Sequence, residues 1–289
     1  MRTRGIVAAA ILALAASGWA ADLPELTLPM RGQVLRIAVA GDTGDGSEDV
    51  AKGIARVHAE SPLDAVILTG DNFYPCGPRE VDSESWKLVR PLTKLGLPLY
   101  PVLGNHDHCG PGPGAQLRAN GVVANWHLPG KQYVIRSPLA DFVMLDTTPY
   151  VYGVVGADEA VKAAFAKSPQ GRRRIVVGHH PILSSGWHGY FPQQDVQNMR
   201  RLLPTLRASG VALYICGHDH HLELVRSNPL YLISGAGSDP IPPIKLRLNT
   251  IFPPEIRWER IGFAVLEISK ERLRIRFYDG EGKPRSGWM

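Results

Sequence analysis

Short apolar runs that end in glycine and polar residues recur along the chain, and a helical pattern follows most of them. The runs are rich in residues that favour strands. They cover Val34–Ala40, Ala65–Thr69, Leu99–Leu103, Phe142–Leu145, Arg174–Val177, Val211–Cys216 and Leu230–Ser234. Because these runs are apolar at successive positions, both faces of the resulting sheet structure should be covered by other layers. The pattern predicts an α/β fold.

The remaining chain supplies helices, a hairpin and one long irregular segment. Helical periodicity is present in Ser47–Glu60, Glu84–Leu95, Asp158–Lys167 and Gln193–Ser209. Pro204 lies inside the last of these and predicts a break or kink, since proline removes a helical hydrogen bond. Phe263–Ser269 and Leu273–Tyr278 alternate around a polar turn and predict an antiparallel hairpin. Gly235–Arg260 is rich in proline and is expected to form a loop over a site.

The N-terminus resembles a secretory signal. Arg2 and Arg4 precede the apolar stretch Ile6–Ala16, and small residues follow at the positions that a signal peptidase reads. The alternative is a buried N-terminal helix. We expect residues 1–21 to be a signal peptide, residues 32–289 to form the folded domain, and the protein to be secreted or periplasmic.

Composition adds few constraints on partners. The chain has 289 residues and a formal net charge of +5, which falls to +3 if Arg2 and Arg4 leave with the signal. The basic run Arg172–Arg174 is interpreted as a solvated turn, and no nucleic-acid motif is present. No stretch beyond the N-terminus is long and apolar enough to predict a membrane helix. We therefore expect no nucleic-acid partner and no membrane partner. We also expect a monomer.

The chain has three cysteines, and export would permit a disulfide. Cys76 and Cys109 each follow a strand end, so they could meet, but the sequence leaves open whether they bond. Cys216 ends an apolar strand and is expected to be a buried free thiol.

Five of the predicted strands end in a glycine that is followed by oxygen or imidazole donors. The motifs are Gly41-Asp42-Thr43-Gly44, Gly70-Asp71-Asn72-Phe73-Tyr74, Gly104-Asn105-His106-Asp107, Gly178-His179-His180-Pro181 and Gly217-His218-Asp219-His220. Each motif alone is typical of a turn or a helix cap. In open α/β sheets, however, ligands bind at the carboxyl ends of the strands. Glycine before each donor is expected to let the chain turn sharply.

Together these side chains predict a metal site. Two Asp, one Asn, three His and one Tyr at one sheet edge would be costly without cations, since close carboxylates repel and buried polar groups lose hydration. The set lacks thiolate and suits first-row transition metals. It is large enough for two ions, which a shared carboxylate would hold roughly 3.5–4 Å apart. Free tyrosine has a pKa of about 10, so its hydroxyl is protonated at neutral pH. Tyr74 as a phenolate ligand therefore indicates a strongly Lewis-acidic ion such as Fe(III).

The five motifs, in this order, resemble the calcineurin-like metallophosphatase superfamily and, within it, the purple acid phosphatases of the small, mammalian (tartrate-resistant) type. The resemblance runs from about Leu35 to the C-terminal hairpin. It includes GDNFY, GNHDH, FVMLDT, VVGHHP, CGHDHHLE and SGAG. It implies two β-sheets packed as a sandwich and flanked by helices, a four-layer α/β/β/α fold with the metals at the strand ends.

The resemblance also implies a role for each donor. The ligands of Fe(III) would be Asp42, Tyr74 and His220. The ligands of a divalent Fe, Zn or Mn ion would be Asn105, His179 and His218. Asp71 would bridge the ions. His106 and His188 would contact the substrate and the leaving group. His180 and His221 depart from the usual family pattern and are interpreted as hydrogen-bonding residues around the site.

The implied activity is hydrolysis of small phosphate monoesters by attack of a metal-bound hydroxide, which makes the protein an acid phosphatase. Two alternatives stay open at this point. The same scaffold also serves phosphodiesterases and nucleotidases, and an exported iron-binding or redox protein could use the same ligands.

Overall fold

Two β-sheets pack face to face at the centre of the computed structural model, which describes residues 22–190, 194–243, 250–251, 260–286 and 288. The predicted signal segment 1–21 lies outside these residues, as do residues 244–249 and 252–259 of the predicted loop. The strands are β1 (Glu25–Thr27), β2 (Leu35–Ala40), β3 (Ala65–Leu68), β4 (Leu99–Pro101), β5 (Tyr133–Arg136), β6 (Ala140–Met144), β7 (Arg173–Val177), β8 (Leu213–Cys216), β9 (Leu222–Val225), β10 (Leu230–Ser234), β11 (Thr250–Ile251), β12 (Gly262–Ile268) and β13 (Leu273–Asp279).

The described helices are short apart from two. They are α1 (Glu48–Glu60), a 3-10 helix (Glu84–Leu88), α2 (Arg90–Thr93), α3 (Asn105–His108), α4 (Gly114–Arg118), α5 (Thr148–Val151), α6 (Ala157–Ala166), α7 (Trp187–Tyr190), α8 (Gln194–Arg200) and α9 (Leu203–Ala208). No helix in the described part of the chain has the length and apolar character needed to cross a membrane.

Both sheets are mixed. The larger has the order β1-β5-β6-β7-β8-β10-β9-β11, with β6, β7, β8 and β10 parallel. The smaller has the order β13-β12-β2-β3-β4, with β2, β3 and β4 parallel. The carboxyl ends of β2, β3, β4, β7 and β8 therefore bring the five glycine-containing motifs together at one edge of the sandwich.

The period-two alternation of the strands explains the four layers. In β6, Phe142 and Met144 join the core between the sheets, whereas Val143 faces a second core. That second core is completed by α6, which contributes Val161 and Phe165. Helix α1 packs against β12 and β13 of the smaller sheet. The predicted α/β sandwich flanked by helices is confirmed.

Most predicted elements are present, and proline explains two of the differences. The segment Gln193–Ser209 is two helices, and Pro204 lies in the first turn of α9, where its missing N–H costs nothing. The segment Glu84–Leu95 is a 3-10 helix followed by α2, which has Pro91 in its first turn. The predicted hairpin is confirmed as β12 and β13, which pair antiparallel.

An aromatic cluster supports the loop after β3. Phe73 is fully buried and meets Trp86 edge-on, with ring centroids 5.0 Å apart. Trp86 meets Trp126 in the same way at 5.3 Å. Because Phe73 lies between Asn72 and Tyr74, the cluster fixes the height of the loop above the sheet.

Replacing this anchor should weaken the whole fold. We expect Phe73→Ala to lower the free energy of unfolding by about 3–5 kcal/mol, since it leaves a cavity under the loop. Urea unfolding followed by circular dichroism measures the loss. Val122→Ala is the control, because Val122 is 71% exposed and should change stability by less than about 0.5 kcal/mol. If the two variants were equally stable, the packing of Phe73 under the loop after β3 would not stabilise the fold.

Candidate metal centre

Tyr74 lies at the centre of a first group of donors. Its hydroxyl oxygen is 3.2 Å from Asp71 Oδ2, 3.4 Å from Asp42 Oδ1 and 3.2 Å from His220 Nε2. His220 Nε2 is in turn 3.5 Å from Asp42 Oδ1. These four side chains come from the ends of β2, β3 and β8.

His179 lies at the centre of a second group. Its Nε2 is 3.1 Å from Asn105 Oδ1, 3.1 Å from His218 Nδ1 and 3.4 Å from Asp71 Oδ2. Asp71 Oδ2 thus approaches the central atom of both groups. The structure brings together all seven side chains that the sequence predicted as metal ligands, and their roles as ligands stay a prediction.

The spacing of these donors fits bound cations. Ligands about 2.0–2.2 Å from one ion lie about 2.8–3.6 Å from each other in octahedral or tetrahedral geometry. The separations in both groups, 3.1 to 3.5 Å, fall in that range. Asp42, Asp71 and His179 also have ligand atoms within 4.8 Å of one another.

Hydrogen bonds fix the tautomers of two histidines. His179 Nδ1 donates to the carbonyl oxygen of Thr69 at 2.8 Å, and His220 Nδ1 donates to that of Asp239 at 2.8 Å. A carbonyl can only accept, so in the neutral rings the lone pair is on Nε2, which points at the other donors. Backbone carbonyls commonly orient metal-binding imidazoles in this way.

In the absence of a cation, burial and neighbouring charges shift the pKa values of several donors. Burial raises the pKa of Asp42 to about 6, against the lowering effect of His179 and His220. Burial would lower the pKa of His179, but the Asp71 carboxylate outweighs it and raises that pKa to about 9. Burial would also raise the pKa of Asp71, yet His179 holds it well below its usual range. The cluster is therefore built to hold positive charge.

Three of the donor residues have left-handed backbone conformations. Asp42, Asp71 and His218 have φ angles of 57°, 51° and 67°, a region that side chains other than glycine seldom occupy. The sharp turns that the sequence assigned to the glycines thus lie largely on the donors themselves. Such conformations cluster at functional sites, where the surroundings enforce them.

Two of the neighbouring glycines are needed for close approach rather than for turning. A Cβ atom at Gly104 would lie 2.1 Å from Asp71 Oδ1, and one at Gly217 would lie 2.3 Å from Asp42 Oδ2. Each glycine therefore leaves the space that a carboxylate fills.

Asp107 holds two of the loops in place, and sequence reasoning gave it no role. It is fully buried and accepts hydrogen bonds from the N–H groups of Asn72 and Gly104 and from Gln116 Nε2. Burial, together with the nearby Asp71, raises its pKa to about 7. The acidic residue inside GNHDH was the only available signal, since nothing in the sequence shows which way its side chain points.

His106 is oriented by the loop that carries Tyr74. Its Nδ1 donates to the carbonyl oxygen of Pro75 at 2.8 Å, and its ring meets the Tyr74 ring edge-on at 4.6 Å. Cys76 and Cys109 form a disulfide with their Cα atoms 5.2 Å apart, which ties the same two loops together. The sequence alone does not decide whether this bond forms. Cys216 is a buried free thiol, as predicted.

His188 lies over the second group of donors. Its ring centroid is 3.8 Å from that of His218. Asp219 positions it by accepting hydrogen bonds from the N–H groups of His188 and Gly189 at 2.9 and 3.2 Å. Glu223 holds the preceding turn through the N–H and the hydroxyl of Ser185.

Three further histidines surround the site as hydrogen-bonding residues. His180 is buried, and its Nδ1 is 2.9 Å from Thr147 Oγ1. His221 is buried and bonds Glu223 at 2.9 Å. His108 bonds Asp146 at 2.9 Å, a contact that sequence reasoning missed because the two residues are 38 positions apart.

Comparison with known proteins identifies the class. The calcineurin-like phosphoesterase family matches residues 35–222, so the chain belongs to that family and is a phosphoesterase. Among curated relatives, Arabidopsis thaliana purple acid phosphatase 17 is 31% identical, over 83% of this chain and 78% of its own. Human tartrate-resistant acid phosphatase type 5 is 27% identical, over 81% of each chain. The predicted resemblance to purple acid phosphatases and the assignment to that enzyme class are confirmed.

Solved structures agree on the fold. A purple acid phosphatase from yellow lupin (Lupinus luteus) seeds superposes with a TM-score of 0.65 at 16% identity, over 89% of this chain and 53% of its own. GAP50, described as the anchor in the inner membrane complex of Plasmodium, superposes with a TM-score of 0.72 at 26% identity, over 87% of each chain.

The close approach at Gly104 gives a test of the metal centre. We expect Gly104→Ala to displace the Asp71 carboxylate and to reduce the metal content of the purified protein severalfold. Elemental analysis measures this, with circular dichroism to check folding. Gly32→Ala is the matched control, since a Cβ there meets nothing within 4 Å. Full metal content in folded Gly104→Ala would mean that Asp71 holds no ion.

Proposed function

We propose that this protein is an exported acid phosphatase that hydrolyses phosphate monoesters at a pair of metal ions. The observation that carries the proposal is the position of Asp71 Oδ2, within 3.4 Å of Tyr74 Oη and of His179 Nε2. A carboxylate shared by two groups of donors is the arrangement of two-metal hydrolases.

The donor set supports one trivalent and one divalent ion. Asp42, Tyr74 and His220 would hold Fe(III), and Asn105, His179 and His218 would hold a divalent Fe, Zn or Mn ion, with Asp71 between them. Burial and the Asp42 and Asp71 carboxylates push the pKa of Tyr74 far above its usual value. A phenolate at this position therefore needs a strongly Lewis-acidic partner.

Bound cations would lower the pKa of a water molecule and polarise the phosphate oxygens. The protein's own residues would orient the ester and move protons. Because Nδ1 of His106 donates to Pro75, its Nε2 is the atom that can deliver a proton to the leaving oxygen. His188, held over His218 by Asp219, would donate a hydrogen bond to the phosphoryl group.

Two features support export. The N-terminal segment has the layout of a signal peptide. The Cys76–Cys109 disulfide is typical of secreted and periplasmic proteins. We propose a secreted or periplasmic monomer that acts on small phosphate esters, with no nucleic-acid or membrane partner.

The identity of the ion at Tyr74 can be tested by absorption. We expect the metal-loaded protein to absorb visible light through a phenolate-to-Fe(III) transition, and Tyr74→Phe to lose that band. Tyr152→Phe should keep it, since Tyr152 is 78% exposed and outside both groups of donors. An unchanged spectrum in Tyr74→Phe would contradict the ferric assignment.

The role of His106 can be separated from metal binding. We expect His106→Ala to lower kcat on phenyl phosphate about 10²–10⁴-fold, the usual contribution of a general acid, with metal content unchanged. His58→Ala is the control, because His58 lies outside both groups of donors. It is in the last turn of α1 and accepts a hydrogen bond from the N–H of Leu63. Loss of metal from His106→Ala would instead make His106 a ligand.

A comparison of substrates tests the reaction itself. The wild-type protein should hydrolyse phenyl phosphate faster than diphenyl phosphate in acid solution. Faster cleavage of the diester would assign the site to phosphodiesterases. No hydrolysis of either ester by fully loaded protein would favour an iron-binding or redox role.

A further inference from the structure

A cavity of about 290 Å³ opens beside the proposed metal centre. Its lining includes His188, His218 and His220 together with the apolar residues Trp187, Ile241 and Pro242. Two of the three histidines are proposed metal ligands, one for each ion. The cavity is therefore continuous with the place where the phosphoryl group would bind.

Two of the apolar residues that line this cavity are exposed to solvent. Trp187 is 55% exposed and Ile241 is 51% exposed. Single exposed apolar residues are common and need no explanation. These two differ because Trp187, at the start of α7, and Ile241, in the segment after β10, line one cavity together with Pro242, whereas the exposed Val122, Tyr152, Val154 and Val155 do not line it.

The charge of the lining argues against a highly charged ester group. No lysine or arginine is among the described residues that line the cavity, so none of these residues offers a permanent positive charge to a second phosphate or to an acidic peptide. Its carboxylate, Asp219, is 3% exposed and accepts hydrogen bonds from two backbone N–H groups. The lining thus favours a neutral, apolar group.

The size of the cavity limits that group. Ligand pockets span about 300–1,000 Å³, so a volume of about 290 Å³ suits one ring with a short link to phosphate. Tryptophan presents a flat face, which gains most from another flat ring in a stacked or edge-on position.

We propose that this cavity binds the organic part of the substrate and that Trp187 selects phosphate monoesters with an aromatic ester group. The inference rests on the proposed function, because it names the substrate class of that same site. The phosphoryl group would lie at the donors, and the ring would lie beyond His188 against Trp187.

Benzyl phosphate and propyl phosphate test this selection. Their alcohols are similarly weak acids, so the pair differs mainly in the presence of a ring. The wild-type protein should have a higher kcat/KM for benzyl phosphate. We expect Trp187→Ala to lower that value about three- to tenfold, the range that aromatic contacts contribute. The kcat/KM for propyl phosphate should change less than twofold in Trp187→Ala.

Matched variants separate the aromatic contact from other effects. Trp187→Phe should keep most of the preference for benzyl phosphate, and Ile241→Ala should lower it in the same direction. Val122→Ala should leave kcat/KM for both esters unchanged. An equal loss on both esters in Trp187→Ala would mean that Trp187 merely positions His188, which would overturn the proposal.

Binding gives a second readout that does not depend on turnover. Calorimetry of the metal-loaded wild-type protein should show tighter binding of benzylphosphonate than of propylphosphonate, and Trp187→Ala should remove the difference. Equal affinities in the wild type would overturn the inference while hydrolysis of both esters left the proposed function intact. Absence of hydrolysis of any monoester would instead overturn the proposed function, and the inference with it.

Discussion

At the edge of this sandwich, several acceptor atoms lie so close together that their repulsion would destabilise the site unless a proton or a cation lay between them. The buried Asp42 and Asp71 carboxylates and the Nε2 atoms of His179 and His220, which carry no proton when the rings are neutral, lie within 3.5 Å of other donors. Buried like charges raise each other's free energy unless a cation or a proton lies between them. In the absence of a metal ion, a proton offsets this repulsion, and the pKa of His179 accordingly rises to about 9. Bound metal ions would offset it in the same way.

The rest of the fold works to hold this arrangement together. Left-handed backbone at Asp42, Asp71 and His218 costs free energy, and such strain persists only where the surroundings enforce it. The aromatic cluster under Phe73, the buried Asp107 network and the Cys76–Cys109 bridge all act on the loops after β3 and β4. Most of this support lies beside the donors rather than among them.

Sequence reasoning could predict the donors because each follows an apolar strand, and parallel strands end at one edge. It could not predict the supporting contacts. His108 and Asp146 are 38 positions apart, and Glu223 meets Ser185 across the same number, so no local pattern marks either pair. The strands β1, β5 and β9 were also missed, since none of them is followed by the glycine that ended most of the predicted runs. The sequence motifs contain these glycines, but the main use of Gly104 and Gly217 is to leave space for a carboxylate, which only the three-dimensional structure shows.

Likeness of fold alone cannot carry the activity, because the same sandwich also occurs in a protein described as a membrane-complex anchor. What distinguishes an enzyme is the use of groups that an anchor has no need to orient. His106 is hydrogen-bonded so that its Nε2 stays available, and His188 is held above His218 by a buried carboxylate. A site that only stored or displayed metal would gain nothing from either contact. The two oriented histidines therefore favour catalysis more strongly than the overall fold does.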